Sequence, residues 1–237
     1  MAVGVPVGGT AAGANGGAVA PTLPASVAAN DIIVLFAIFY NDGTGTVPTT
    51  ITWPATYTQG NSATVKDASG NARGIAGWAW KRAAGGESGT VSISANGTAS
   101  NTASGSLGNC CRIPGCTRTG NPWEDSQVNA PNYTATVDFP AASMTRSTGG
   151  LSLVIQLNSD NINYGTPANW TTLLSNASTT GLDTALDVDY RQPGATGTYD
   201  PANATQTSPN AFGWAAFHII FTDTTVSTKA GFGKEHG

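Results

Sequence analysis

Charge is the scarcest property of this chain. Asp, Glu, Lys and Arg make up 10% of its residues, against about 25% in an ordinary globular domain. The Lys and Arg residues number 10 and the net charge is −4. They form no cluster that could follow a phosphate backbone, so nucleic acid is not expected as a direct partner. Free sheet edges are normally protected by Lys, Pro or bulges. So few charges lead us to expect that neighbouring subunits cover some edges.

Long apolar runs are also missing. The longest, residues 32–40, is about half of the roughly 20 residues that a spanning helix needs, so no membrane partner is expected. The N-terminus shows neither the basic stretch nor the compact apolar stretch of a signal peptide, which points to synthesis in the cytoplasm. On that reading the sequons at Asn96, Asn132, Asn169, Asn176 and Asn203 are products of an Asn/Thr-rich composition.

Reactive side chains are few. The only histidines are His218 and His236. Neither accompanies a nucleophile-elbow, zinc-protease or P-loop pattern, so the expectation is a non-enzyme, with His218 a satisfied or interface residue. Cys110, Cys111 and Cys116 form Cys-Cys-x4-Cys with no nearby fourth ligand, so no metal site is expected there. They read as buried thiols, with a disulfide from Cys116 to one of the pair as the alternative. On a strand, Cys110 and Cys111 would point to opposite faces, so at most one would face the core. Asp187 and Asp189 share a strand face, with Asp183 upstream. They read as a solvated face, with a Ca²⁺ site as the alternative. Glu124 and Asp125 are adjacent and would not face each other across a glycosidic bond. No cofactor is implied.

Aromatic residues are plentiful: six Trp, six Tyr and seven Phe supply a core. Period-2 alternation marks strands at Val91/Ile93, Ala135/Val137/Phe139, Leu151/Leu153/Ile155/Leu157 and Leu186/Val188/Tyr190. Residues 32–40 are apolar on both faces, so one face should meet the core and the other the N-terminal arm or another subunit, while residues 214–221, nearly all apolar, should be central. Turn-forming clusters separate all of these, and no helical period appears. Ten or so short strands indicate a β-sandwich or jelly roll.

The pattern occurs twice, about 110–120 residues apart, which suits two halves of one domain. Residues 32–40, Ile51-Thr52-Trp53-Pro54 and Trp78-Ala79-Trp80-Lys81-Arg82 come first. Residues 151–157, Thr166-Pro167-Ala168-Asn169-Trp170 and Val188-Asp189-Tyr190-Arg191 follow in the same order. We therefore match Trp53 with Trp170 and Trp80 with Tyr190, and read all four as core anchors. The alternative use of Trp53, Trp78, Trp80 and Trp170 is a platform for sugar rings. The expected organisation is an extended arm or loose edge strand at 1–22, one sandwich at 23–221 and a tail at 222–237. The halves are 23–107 and 133–221, joined by an irregular insert at 108–132.

Leu23-Pro24-Ala25-Ser26-Val27-Ala28-Ala29-Asn30-Asp31, leading into Ile32-Ile33-Val34-Leu35, resembles a pattern of tailed-bacteriophage virion proteins. In that family a Pro-led hairpin, usually ending in Gly-Asp, opens an apolar strand. Ile51-Thr52-Trp53-Pro54 and Trp80-Lys81-Arg82-Ala83-Ala84-Gly85-Gly86-Glu87 resemble the family's next two blocks. Asn30 replaces the usual Gly, and Cys110-Cys111-Arg112 replaces an aromatic-Arg pair. The resemblance implies a jelly-roll-like protein on the virion surface. The expected role is a capsid decoration or cement protein that binds the major capsid protein or other virion subunits and forms homo-oligomers, trimers above all. The alternative is a tail or fibre component binding host-surface glycans. Contacts are expected at the arm, the outer face of 32–40, the insert and the tail.

Overall fold

The computed structural model describes all residues except 1, 43–44, 98–103, 117–118, 131–133, 146–148, 163, 181–182, 193–194, 206–212 and 224–237. His236 and nearly all of the expected tail lie outside the described residues, as does Asn132. The described residues contain strands and no helix. Eight strands precede residue 114: β1 (Val7–Gly8), β2 (Ala12–Ala14), β3 (Ile32–Asn41), β4 (Ile51–Thr52), β5 (Thr58–Lys66), β6 (Ala72–Arg82), β7 (Ser94–Ala95) and β8 (Ser104–Ile113). Nine follow: β9 (Trp123–Asn129), β10 (Thr136–Val137), β11 (Ala142–Met144), β12 (Leu151–Asn158), β13 (Thr171–Ser178), β14 (Thr184–Arg191), β15 (Gly197–Tyr199), β16 (Ala204–Thr205) and β17 (Trp214–Phe221).

Each half of the chain builds one large antiparallel sheet, with the two-stranded pairs β4-β7, β10-β16 and β11-β15 beside them. The first runs β1-β8-β3-β6-β5, with β2 also on β8, and the second runs β13-β14-β12-β17-β9. The two orders are the same when β3, β5, β6 and β8 are matched with β12, β13, β14 and β17, and β1 with β9. The register matches as well. Val34 pairs with Trp80 and Cys111, and Trp80 pairs with Thr58. Leu153 pairs with Tyr190 and Ile219, and Tyr190 pairs with Thr171. Both outer hairpins carry a bulge directly after the second paired residue, following Gln59 in one and Thr172 in the other. The expected doubling is therefore a doubling of whole sheets, and Trp80 does correspond to Tyr190.

The halves stack as a β-sandwich. Ile32, Val34, Phe36 and Ile38 from one sheet meet Leu151, Leu153, Ile155, Leu157, Phe217 and Ile219 from the other. The strand order departs from a jelly roll. Within each half the fourth long strand lies beside the first, but the middle two are exchanged relative to a Greek key, giving 4-1-3-2 in place of 4-1-2-3. Among these sheet strands the chain passes from one sheet to the other once, between β8 and β9.

Three expectations are decided by these contacts. Residues 1–22 follow the edge-strand reading and not the extended arm. β1 and β2 pair with β8, Val3 and Val19 are buried, and Val3 N donates to Gly149 O at 2.7 Å. The Gly/Ala composition has a steric cause: a Cβ on Gly8 would lie 2.4 Å from Leu174 Cδ2, and one on Gly9 2.4 Å from Thr22 O. Nor is 108–132 an irregular insert. Its start belongs to β8 and Trp123–Asn129 is β9, so only the stretch between them connects the halves.

The outer face of residues 32–40 meets the N-terminal segment, the first of its two expected covers, and not another subunit. Ile33, Leu35, Ala37 and Phe39 pack beneath the chain's own Val19, Leu23, Val27, Ala83 and Ile93. Short bridges hold this cover in place, with Val19 facing Ile93 and Thr22 facing both Thr10 and Thr90. The hairpin leading into β3 turns at Asn30, with φ of 73°. Asn tolerates this left-handed geometry, so it can stand where the resemblance has Gly.

Candidate functional site

The two halves differ most on their outer faces, and a shared corner defines that comparison. Tyr57 N donates to Pro54 O at 2.8 Å, and Trp170 N donates to Pro167 O at 3.1 Å. Each aromatic residue directly precedes the first residue of its edge strand, Thr58 or Thr171. Pro54-Ala55-Thr56-Tyr57-Thr58 thus corresponds to Pro167-Ala168-Asn169-Trp170-Thr171. Trp170 therefore matches Tyr57, not Trp53, which corrects the expected pairing. The Pro-Ala-x-aromatic-Thr spacing carries that signal in the sequence.

The strand register extends the equivalence across the outer face. Cys110 corresponds to His218, Ile33 to Ser152, Ala37 to Gln156, Gly77 to Asp187 and Ala79 to Asp189. The first sheet is apolar at these places and the second is polar, yet both are covered. The covering contacts correspond too. Cys110 Sγ donates to Thr22 O at 3.2 Å, while His218 Nδ1 lies 2.7 Å from Pro140 O. Trp170 stands edge-on to His218, with ring centroids 5.6 Å apart.

On the polar face Ser152 Oγ lies 2.5 Å from His218 Nε2, with both residues fully buried. Burial pushes the imidazole down to about 4. The pair has the atoms of a nucleophile and a base, but it is sealed from solvent, so it is a structural contact. Next to it, Asp187 Oδ2 accepts Tyr164 N at 3.0 Å. Burial pushes Asp187 up to about 7 against hydrogen bonds from Ser175 and Tyr164. Asp189 is raised for the same reason, opposed by Thr172 and Thr166. These aspartates are thus buried, not a solvated face. Among the described residues no three His, Cys, Asp or Glu side chains converge in a way that would hold a metal.

The four expected anchors are half-buried and sit at the margins of the clusters. Trp53 packs on the outer cluster of the first half and Trp170 on that of the second, while Trp80 and Tyr190 pack on the shared core. The fully buried indoles are Trp78 and Trp214. Trp123 meets Trp78 and Trp80 edge-on, at 5.1 and 4.9 Å between ring centroids. Sequence reasoning missed Trp123 as part of this cluster because it lay in the supposed insert.

All three thiols are free and buried. Cys111 faces the shared core and Cys110 the outer cluster. The expectation that only one would face a core fails because both faces of β8 are covered. Desolvation pushes Cys110 and Cys116 up to about 12, far from a reactive thiolate. Glu124 and Asp125 hold β11 against β9: Asp125 Oδ2 accepts Ser143 N at 2.7 Å, and Glu124 Oε1 accepts Thr145 N.

Among the described residues, the large apolar side chains left exposed are Val5, Val7 and Val128, at 53%, 39% and 40%. Val7 is on β1 and Val128 on β9, the edge strands that correspond between the halves, and Val5 lies two residues before β1. Comparison with protein-family models, with curated proteins and with solved structures finds no match to this chain.

Proposed function

We propose that this chain is a structural protein of a virion, a head decoration or cement protein that works by binding neighbouring subunits. The observation that carries this reading is the position of Val5, Val7 and Val128 on the two corresponding sheet edges. Edge strands present unpaired backbone groups, and soluble monomers normally guard them with charge. Here β1 carries no charge, and exposed valines stand at both edges although β9 also holds Glu124 and Asp125. The sealed state of the Ser152–His218 pair also favours binding over catalysis. The virion assignment rests on the block resemblance around residues 23–35 and 80–87.

Attachment to a capsid lattice requires at least about 1,000 Å² per contact. Two edges on opposite sides of one sandwich let a subunit bridge two neighbours. The test compares wild type with Val5→Lys and Val128→Lys. Mass in solution is read by light scattering, and copy number on purified particles by quantitative mass spectrometry. Homo-oligomers, hundreds of copies per particle and loss of both in the variants support the proposal. A monomer absent from particles overturns it. A handful of copies per particle, with glycan-array hits that Trp80→Ala abolishes, would replace it with the tail-fibre reading.

A further inference from the structure

Asp187 and Asp189 leave the same face of β14 and are 5% and 4% exposed. Gln156 on β12 stands directly opposite Asp187 in register, so its side chain shares that face. It is 1% exposed, and neither of its amide atoms has a hydrogen-bond partner. Asp189 Oδ1 is likewise buried without a partner. The groups that do bond to the two carboxylates are neutral: the Tyr164 backbone N–H and the hydroxyls of Ser175, Thr172 and Thr166. The ion pairs of the described residues lie elsewhere, at Arg73, Lys81 and Arg112.

The first half shows that the fold does not need these groups. Gly77, Ala79 and Ala37 occupy the corresponding places under a similar cover. Two carboxylates buried without a countercharge cost several kcal/mol. Such a pair persists when a cation or a proton offsets the charge. Two carboxylates, an amide carbonyl and hydroxyls form a set of hard oxygens. That set suits Ca²⁺, which accepts six to eight oxygens in flexible geometry, better than Zn²⁺ or strictly octahedral Mg²⁺.

We infer that Asp187, Asp189 and Gln156 form a binding site for a divalent cation of the Ca²⁺ class, closed over by residues 164–170. Bound there, the cation ties β12 and β14 to the covering segment through Tyr164 and Thr166. It thereby fixes Trp170 over His218. The site lies within one half, so binding does not depend on subunit assembly.

The experiment uses the full chain after treatment with a chelator. Thermal unfolding is followed on adding Ca²⁺ or Mg²⁺, and Tb³⁺ luminescence is excited through Tyr164 and Trp170. A saturable rise of several degrees with Ca²⁺ and a weaker one with Mg²⁺ are expected. Tb³⁺ emission should be displaced by Ca²⁺. Asp189→Asn and Gln156→Leu should each weaken Ca²⁺ binding about tenfold or more while the fold is kept. No response to Ca²⁺, together with stabilisation on acidification, would show that a proton fills the role and would overturn the inference. A Ca²⁺ response unchanged in both variants would overturn it equally.

Discussion

Ser152 on β12 and His218 on β17 meet through a 2.5 Å contact between Oγ and Nε2. The other ring nitrogen lies 2.7 Å from Pro140 O, which can only accept, so Nδ1 carries the proton and Nε2 accepts from the Ser152 hydroxyl. One neutral imidazole thus satisfies a strand hydroxyl and a covering carbonyl. His218→Ala leaves a cavity and two unpaired polar groups, and should cost about 3 kcal/mol by denaturant unfolding. Because the folded pKa lies below the free value, the unfolded state takes up the proton first. His218 should therefore erode stability as pH falls from about 6.5 toward 4. His218→Gln should lessen that acid dependence.

Asp187 works in the opposite direction. Its folded pKa is raised to about 7 from 3.8, so the folded state holds the proton through that window. Without a cation, the stability contributed by the neutral carboxyl is present in acid and lost as pH rises through about 7. Asp187→Asn in chelator should therefore gain stability over wild type at pH 8 and differ little at pH 4. Urea midpoints across that range decide it. A variant less stable than wild type at pH 8 in chelator would contradict the assignment of a buried, uncompensated charge.

Tyr57 and Trp170 should behave as a pair. Each fills the aromatic place of a Pro-led corner and packs on the outer cluster of its own half. Burial also pushes the Tyr57 phenol well above its ordinary range, and Lys81 Nζ lies 5.4 Å from its ring centroid. Truncating either ring to Ala should cost roughly 2–4 kcal/mol. Trp53→Ala lacks a counterpart in the second half, where Thr166 occupies the place. A combined Tyr57→Ala/Trp170→Ala variant should show additive losses, since the rings sit in separate clusters on opposite outer faces.

This pair also shows where the sequence could mislead. Alternation and apolar runs located β3, β12, β14 and β17, and the strand–corner–strand order revealed two similar halves, because backbone periodicity is local. The match of Trp53 to Trp170 followed residue identity, whereas the hydrogen bond from Tyr57 to Pro54 depends on spacing. β8 escaped notice because Ser-Gly-Ser-Leu-Gly-Asn-Cys-Cys is poor in β-branched and aromatic residues. Its small residues have a tertiary cause: a Cβ on Gly108 would lie 2.6 Å from Val19 Cγ2. The polar outer face was read as solvated because no local signal announces that residues 164–170 fold across it.

Gly60 offers the sharpest test of packing at the tryptophan cluster. It sits in the β5 bulge between Gln59 and Ser62, where a Cβ would lie 2.3 Å from Trp78 Cε2 and 2.4 Å from Cζ2. Trp78 is fully buried and braced edge-on by Trp123, so its ring has no free direction in which to move. Overpacking of this kind costs typically 1–3 kcal/mol. Gly60→Ala should therefore destabilise within that range and alter the near-ultraviolet dichroism of the indoles. Gly17→Ala is the matched control, because a Cβ there meets nothing within 4 Å. Equal urea midpoints for the two variants would mean that β5 yields at the bulge and that the Trp78 ring is not its fixed support.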